Sequence, residues 1–141
     1  MSGHIETVHS YTNDQNLLDN FHRKSRRGRS AALNLVITET GAGKAVGKVL
    51  PELEGKLTAN AIRVPTPDVS LAIMKLELGQ QIDTSTLNNF LRQMAFHSTY
   101  KDQIDFTNST EIVSSDFVGN RYAGIIDSAA TICTGKHCVL Y

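Results

Sequence analysis

Long apolar runs, a surplus of charge and clustered cysteines are all missing from this chain of 141 residues, and each absence excludes a class of function. No apolar stretch approaches the ~20 residues that cross a bilayer, so no membrane partner is expected. Met1-Ser2-Gly3-His4-Ile5-Glu6 lacks the basic and apolar regions of a signal peptide. Fourteen Lys and Arg offset fourteen Asp and Glu, so the net charge does not point to nucleic acid. The only two cysteines, Cys133 and Cys138, form no CxxC and have no second ligand pair. Neither a zinc site nor a disulfide framework follows, no metal is expected, and a reducing cytoplasm is the natural home.

Two nucleotide motifs are also missing. A Walker loop needs Gly five residues before its Gly-Lys pair and Ser or Thr after it. Before Gly43-Lys44 that position is Thr38, and the next residue is Ala45. Val46 likewise breaks a GxGxxG reading that starts at Gly41, so no dinucleotide fingerprint is present.

What is present suits one domain-sized chain with a true core, 40% apolar and free of repeats. Ile5 to Tyr11 alternates as a strand. Asn13 to Ser30 is polar, and five of the seven residues from Arg23 to Arg29 are Lys or Arg, which reads as an ordered excursion or a mobile loop. Ala45, Val46, Val49 and Leu50 have helical spacing, with Pro51 as a stop and Thr38 or Thr40 as the N-cap. Strands are expected over 58–64 and 69–78. Asp83 or Thr84 then caps a helix striped by Leu87, Phe90, Leu91, Met94 and Ala95. Three further strands are expected at 112–118, 124–132 and 138–141. Strands outnumber helices without regular alternation. The expected class is α+β, a mixed and largely antiparallel sheet with helices packed on one face.

The chemical candidates are weak one at a time. Thr40 and Gly41 open a helix whose N–H groups and dipole favour an anion, although ordinary capping explains them as well. Arg63 sits in the apolar strand Ala61-Ile62-Arg63-Val64, where an arginine is costly unless paired, as in a structural ion pair, or facing outward. Arg26, Arg27 and Arg29 read as a solvated loop or as a phosphate or RNA contact. Phe21 is the one nearby aromatic, too few for a nucleic-acid platform, so no nucleic acid is expected. His9, near a strand end, reads as a structural histidine or a base.

Together these residues closely resemble the glyceraldehyde-3-phosphate dehydrogenase family. The resemblance runs through Thr7-Val8-His9-Ser10-Tyr11-Thr12-Asn13-Asp14-Gln15, Arg26-Arg27-Gly28-Arg29-Ser30-Ala31-Ala32, Thr40 to Leu53, Gly55-Lys56-Leu57, Arg63-Val64-Pro65-Thr66-Pro67 and Val113-Ser114-Ser115-Asp116-Phe117. It implies the catalytic (substrate) domain over 1–141, incomplete at both ends. It implies His9 as the group that activates a cysteine thiol and then serves as acid and base. Thr12, Asp14 and Arg63 would surround the phosphate of a phosphorylated aldehyde, and Arg27, Thr40 and Gly41 the inorganic phosphate that attacks the acyl intermediate. It further implies a homo-oligomer, a tetramer in the intact enzyme. Asn20 and Phe21 would lie near a neighbour's cofactor, where they depart from the usual apolar-proline pair. The cofactor, NAD or NADP, would be bound by the missing domain. The family's Ser-Cys-Thr-Thr-Asn-Cys nucleophile segment is absent, and Cys133 and Cys138 read as structural thiols, so this chain alone is expected to be inactive. An erythrose-4-phosphate dehydrogenase fragment and a non-catalytic phosphate-binding or assembly module remain as alternatives.

Overall fold

A computed structural model describes residues 1–141. The backbone falls into two compact units, His4–Ile73 and Met1–Gly3 with Met74–Tyr141. Eight strands and two α-helices make it an α+β chain whose strand pairs are mostly antiparallel.

In the unit His4–Ile73 the strand order is β2-β3-β1. β1 (Ser2–Ser10) starts earlier than its alternation suggests and stops before Tyr11. β2 (Val36–Glu39) pairs antiparallel with β3 (Leu57–Val64), matching Val36 to Arg63 and Thr38 to Ala61. β1 and β3 run the same way, because His4 bonds Thr58 and Glu6 bonds Asn60 at an unchanged offset. Ala31, Val36, Leu53 and Ala61 are the buried apolar residues of this unit. Helix α1 (Ala42–Val49) joins β2 to β3 and ends where Leu50 and Pro51 begin a 3-10 turn. Its N-cap is Gly41, not Thr38 or Thr40. Thr38 lies inside β2, and the Thr40 hydroxyl accepts from the Ala42 N–H at 3.3 Å.

The basic stretch is an ordered excursion. Asn16 N–H donates to the Arg27 carbonyl (3.0 Å), Asn20 N–H to Gly28 (2.9 Å) and Ala31 N–H to Asn16 (2.9 Å), around a 3-10 turn at Ser25–Gly28. Asp19 secures its end by accepting from the Ser30 N–H (2.8 Å) and from Arg29 Nε (3.1 Å). A Cβ on Gly28 would lie 2.4 Å from the Asn20 carbonyl oxygen, so only glycine permits this close approach.

In the other unit β4 (Ser70–Glu77, from Met74 onward) pairs antiparallel with β8 (His137–Leu140), which pairs with β7 (Ile132–Thr134). A separate parallel pair joins β5 (Ile104–Thr107) to β6 (Gly124–Asp127). Helix α2 (Thr84–His97) opens on Asp83, whose side chain accepts from the Thr86 N–H at 2.9 Å. Leu87, Cys138 and Leu140 form the buried cluster, with Met74, Leu76, Ile82 and Leu91 packed against it. Burying one such leucine contributes roughly 1.5–3 kcal/mol.

Three expectations are corrected here. Residues 112–118 are not a strand: Ser114–Phe117 is a 3-10 turn, held by the Val113 N–H donating to the Asp116 carboxylate at 2.8 Å. The strand expected at 124–132 is two strands, β6 and β7, separated by a turn at 128–131. Phe90 is exposed rather than core-facing, because the buried stripe of α2 is narrower than the five residues suggest.

Candidate functional site

Every residue singled out from the sequence for a phosphate or acid–base role lies within His4–Ile73. His9 is the last residue but one of β1, and its Nδ1 is 2.7 Å from the Ser10 carbonyl oxygen. A carbonyl only accepts, so Nδ1 carries the hydrogen and Nε2 is left as the basic nitrogen. Arg63, near the end of β3, donates from Nη1 to the same Ser10 carbonyl (3.1 Å) and to the Thr12 hydroxyl (3.1 Å). One backbone oxygen therefore links the imidazole to a guanidinium.

A second group surrounds Arg27, whose side chain is only 9% exposed. Its Nη1 pairs with the Asp14 carboxylate, its Nε donates to the Thr38 hydroxyl (2.9 Å), and its Nη2 donates to the Glu39 carbonyl (3.4 Å). Asp14 also faces His22 Nε2 at 3.4 Å. His22 Nδ1 meets both the Lys24 N–H (2.9 Å) and the Lys24 carbonyl (3.1 Å), which fix the ring with Nε2 toward Asp14. The hydrogen bond from Arg27 holds the Asp14 carboxyl below the usual carboxylate range.

Charge couples the two groups. Burial pulls the Arg63 guanidinium below its ordinary value, the nearby Arg27 lowers it further, and Asp14 opposes this. Arg63 has no carboxylate within ion-pair distance, and its Nε is buried without a hydrogen-bond partner. Its ion-pair reading is therefore set aside. Guanidiniums, hydroxyls and a helix N-terminus are the groups that suit a phosphate, and this unit carries Arg27, Arg63, Thr12 and the opening of α1. Gly41 is exposed, and a Cβ there would touch nothing within 4 Å, so the helix end is open to a ligand.

The sequence reading missed three members of this arrangement. His22 and the Ser10 carbonyl gave no signal, since one lies in a basic run and the other is main chain. Thr38 was noticed for the wrong role. Its neighbours Glu39 and Thr40 could have marked it as one side of an alternating strand facing Arg27.

The family described as glyceraldehyde 3-phosphate dehydrogenase, C-terminal domain, matches residues 1–140. The chain belongs to this family. Among its relatives, a glyceraldehyde-3-phosphate dehydrogenase-like protein of Pseudomonas aeruginosa is 62% identical over 141 residues, all of this chain and 31% of that protein. Glyceraldehyde-3-phosphate dehydrogenase 1 of Bacillus subtilis is 45% identical over 130 residues, 92% of this chain and 38% of its own length. Glyceraldehyde-3-phosphate dehydrogenase 2 of Trichormus variabilis is 42% identical over 139 residues, 99% of this chain and 41% of its own. The chain thus spans about a third to two-fifths of these relatives. No helix of this C-terminal-domain chain is long and apolar enough to cross a membrane, and no group of three or more His, Cys, Asp or Glu side chains could hold a metal ion.

Proposed function

We propose that residues 1–141 are the catalytic (substrate) domain of a phosphorylating aldehyde dehydrogenase and act on glyceraldehyde 3-phosphate. The carrying observation is Arg63, half-buried near a second arginine, with no carboxylate partner and with a buried Nε that bonds nothing. Such a charge is costly unless an anion completes it.

In this reading His9 Nε2 takes the proton of a cysteine thiol supplied from outside this chain. A free thiol is only a few per cent ionised at neutral pH, so the base raises the thiolate fraction. The thiolate attacks the aldehyde carbon, and His9 then moves protons to and from the former carbonyl oxygen. A nicotinamide cofactor, NAD or NADP, held outside this chain would supply the hydride acceptor. Inorganic phosphate cleaves the thioester, releasing the acyl phosphate and restoring the thiolate. Arg63 and Thr12 hold the substrate phosphate, while Arg27, Thr40 and Gly41 hold the attacking one. Asp14 is itself an anion, so it serves by fixing Arg27 rather than by touching phosphate.

We also assign the exposed apolar side chains Leu17, Leu18, Leu33, Leu35 and Phe21, the last 89% exposed, to a contact between copies of the intact enzyme. Exposed apolar side chains in such number suit a subunit interface, with Asn20 and Phe21 near a neighbour's cofactor.

Phosphate titration followed by amide shifts tests the anion site. Saturable shifts at Thr40, Gly41 and Arg63 Nε are expected, and their absence sinks the reading. Activity is tested with the cofactor- and cysteine-bearing portion joined to this chain. There His9→Asn should lower kcat roughly 10²–10⁴-fold, the usual contribution of general acid–base help. Comparing glyceraldehyde and erythrose phosphates decides the substrate. Phosphate binding without turnover of either aldehyde leaves only the non-catalytic module.

A further inference from the structure

The two cysteines lie outside the unit that holds the anion site, one on each strand of the terminal hairpin. Strand pairing sets Cys133 directly opposite Cys138, and Thr134 opposite His137. Only Gly135 and Lys136 remain for the loop. Gly135 takes φ +60° and Lys136 has no positive φ, the pattern of a type II′ turn with glycine first. In a two-residue hairpin the residues flanking the turn form the hydrogen-bonded pair. Cys133 and Cys138, one step further out, form the non-hydrogen-bonded pair, where Cα atoms approach to about 4.5 Å and side chains are closest. That separation falls within the roughly 4.4–6.8 Å that a disulfide spans. Both side chains share one face, because Cys138 belongs to the cluster with Leu87 and Leu140 and Cys133 packs against that cluster.

Their surroundings differ in a useful way. Cys138 is 1% exposed, and its burial, aided by Cys133 nearby, pushes its thiol up. Cys133 is only partly buried, and β7 is the outer strand of its sheet, with β8 as its one neighbour. A small reagent therefore reaches Cys133 first, and Cys138 waits behind it. These 141 residues contain no third thiol.

We propose that Cys133 and Cys138 form a thiol–disulfide exchange site oxidised by low-molecular-weight disulfides. The Cys133 thiolate attacks one sulfur of RSSR, forms a mixed disulfide and expels RS⁻, which takes up the proton that Cys133 lost. The Cys138 thiolate attacks the Cys133 sulfur, closes the protein S–S bond and expels the second RS⁻, which is protonated in turn. Two protein thiols are oxidised and one RSSR is reduced to two RSH. The bond closes a loop of only six residues, from 133 to 138. Chain-entropy stabilisation is small for so short a loop, so the bond is a reversible modification rather than a staple.

The full chain is equilibrated with oxidised and reduced glutathione at a series of ratios, quenched in acid and weighed intact. The native chain should become lighter by two hydrogens and retain no glutathione. Cys138→Ala, which keeps the buried position apolar, should hold one glutathione on Cys133. Cys133→Ser should stay unmodified over the same interval. The native chain decides the matter even if a variant fails to fold. Two glutathiones retained, one retained without closure, a disulfide-linked dimer, or both thiols still free at the most oxidising ratio would each overturn the proposal.

Discussion

The two units carry opposite net charge and differ in whether they bury a charged side chain. His4–Ile73 carries nine Lys and Arg against seven Asp and Glu, whereas the remainder carries five against seven, so the zero net charge conceals a positive and a negative unit. The positive unit buries Arg27 and leaves Leu17, Leu18, Phe21, Leu33 and Leu35 in solvent. The other unit buries Leu87, Cys138 and Leu140, and no charged residue. Buried charge held by hydrogen bonds is costly and gives little net stability. The first unit therefore spends stability on a buried charge beside its own apolar residues Ala31, Val36, Leu53 and Ala61, whereas the second buries no charge.

The largest effect that separates the two should come from Leu87→Ala. This side chain is 7% exposed within the apolar cluster, so its truncation should cost about 2–5 kcal/mol in the unfolding of Met74–Tyr141. Urea denaturation followed at α2 measures it. Phosphate-induced shifts at Thr40 and Gly41 should persist in the folded variant. If they vanish together with the helix, the contrast between the units fails.

That contrast was only partly legible in the sequence. Helix α2 could be read because a 3.6-residue stripe and a capping Asp83 agree, and both are local signals. β6 and β7 merged into one expected strand because the turn at 128–131 contains neither glycine nor proline. β5 escaped because it has four residues, and its pairing with β6 is a non-local fact. In the site, His9 and Arg63 were visible as polar residues in strands. The Arg27–Asp14 pair joins loop positions with no shared periodicity, and only folding of the excursion brings them together. Resemblance to the family flagged both residues, but it did not say that they bind each other.

Arg63→Ala should come next, and it should act in the opposite sense to Leu87→Ala. Losing charge-assisted hydrogen bonds worth about 1.5–3 kcal/mol should weaken phosphate binding roughly 10- to 100-fold. Thermal stability should hold steady or rise, because the variant relieves repulsion with Arg27 and removes an unbonded buried Nε. Arg63→Lys should restore charge without the planar fork, and so recover only part of the affinity. Calorimetric phosphate titration beside a melting curve reads both quantities. A large fall in stability with unchanged affinity would make Arg63 structural.

Gly28→Ala tests whether the basic excursion is a scaffold for Arg27. The added Cβ meets the Asn20 carbonyl oxygen at 2.4 Å, so the backbone must move, at a cost of about 1–3 kcal/mol. The Asn20 amide should lose its protection from hydrogen exchange, and phosphate affinity should fall as Arg27 shifts. Met74–Tyr141 should keep its exchange pattern.

Acid gives the smallest effect and the finest comparison, because each unit carries its own titrating anchor. In the positive unit the Arg27 hydrogen bond lowers Asp14, and the Ser30 N–H lowers Asp19. In the other unit the Thr86 hydroxyl and N–H lower Asp83. In each case the folded value lies below the unfolded one. The contribution is therefore complete above the ordinary carboxylate value of about 4 and is lost as pH falls through the folded value. All three carboxylates are exposed, so solvent screening keeps the losses modest. Melting temperature should be flat from about pH 7 to 5 and decline below about 4, where these carboxylates protonate. Asp83→Asn keeps an N-cap acceptor without the titration. It should remove the acid response of the Thr86 amide while leaving that of Asn16 and Ala31 in the excursion. If the one substitution silences both responses, the two units do not titrate separately.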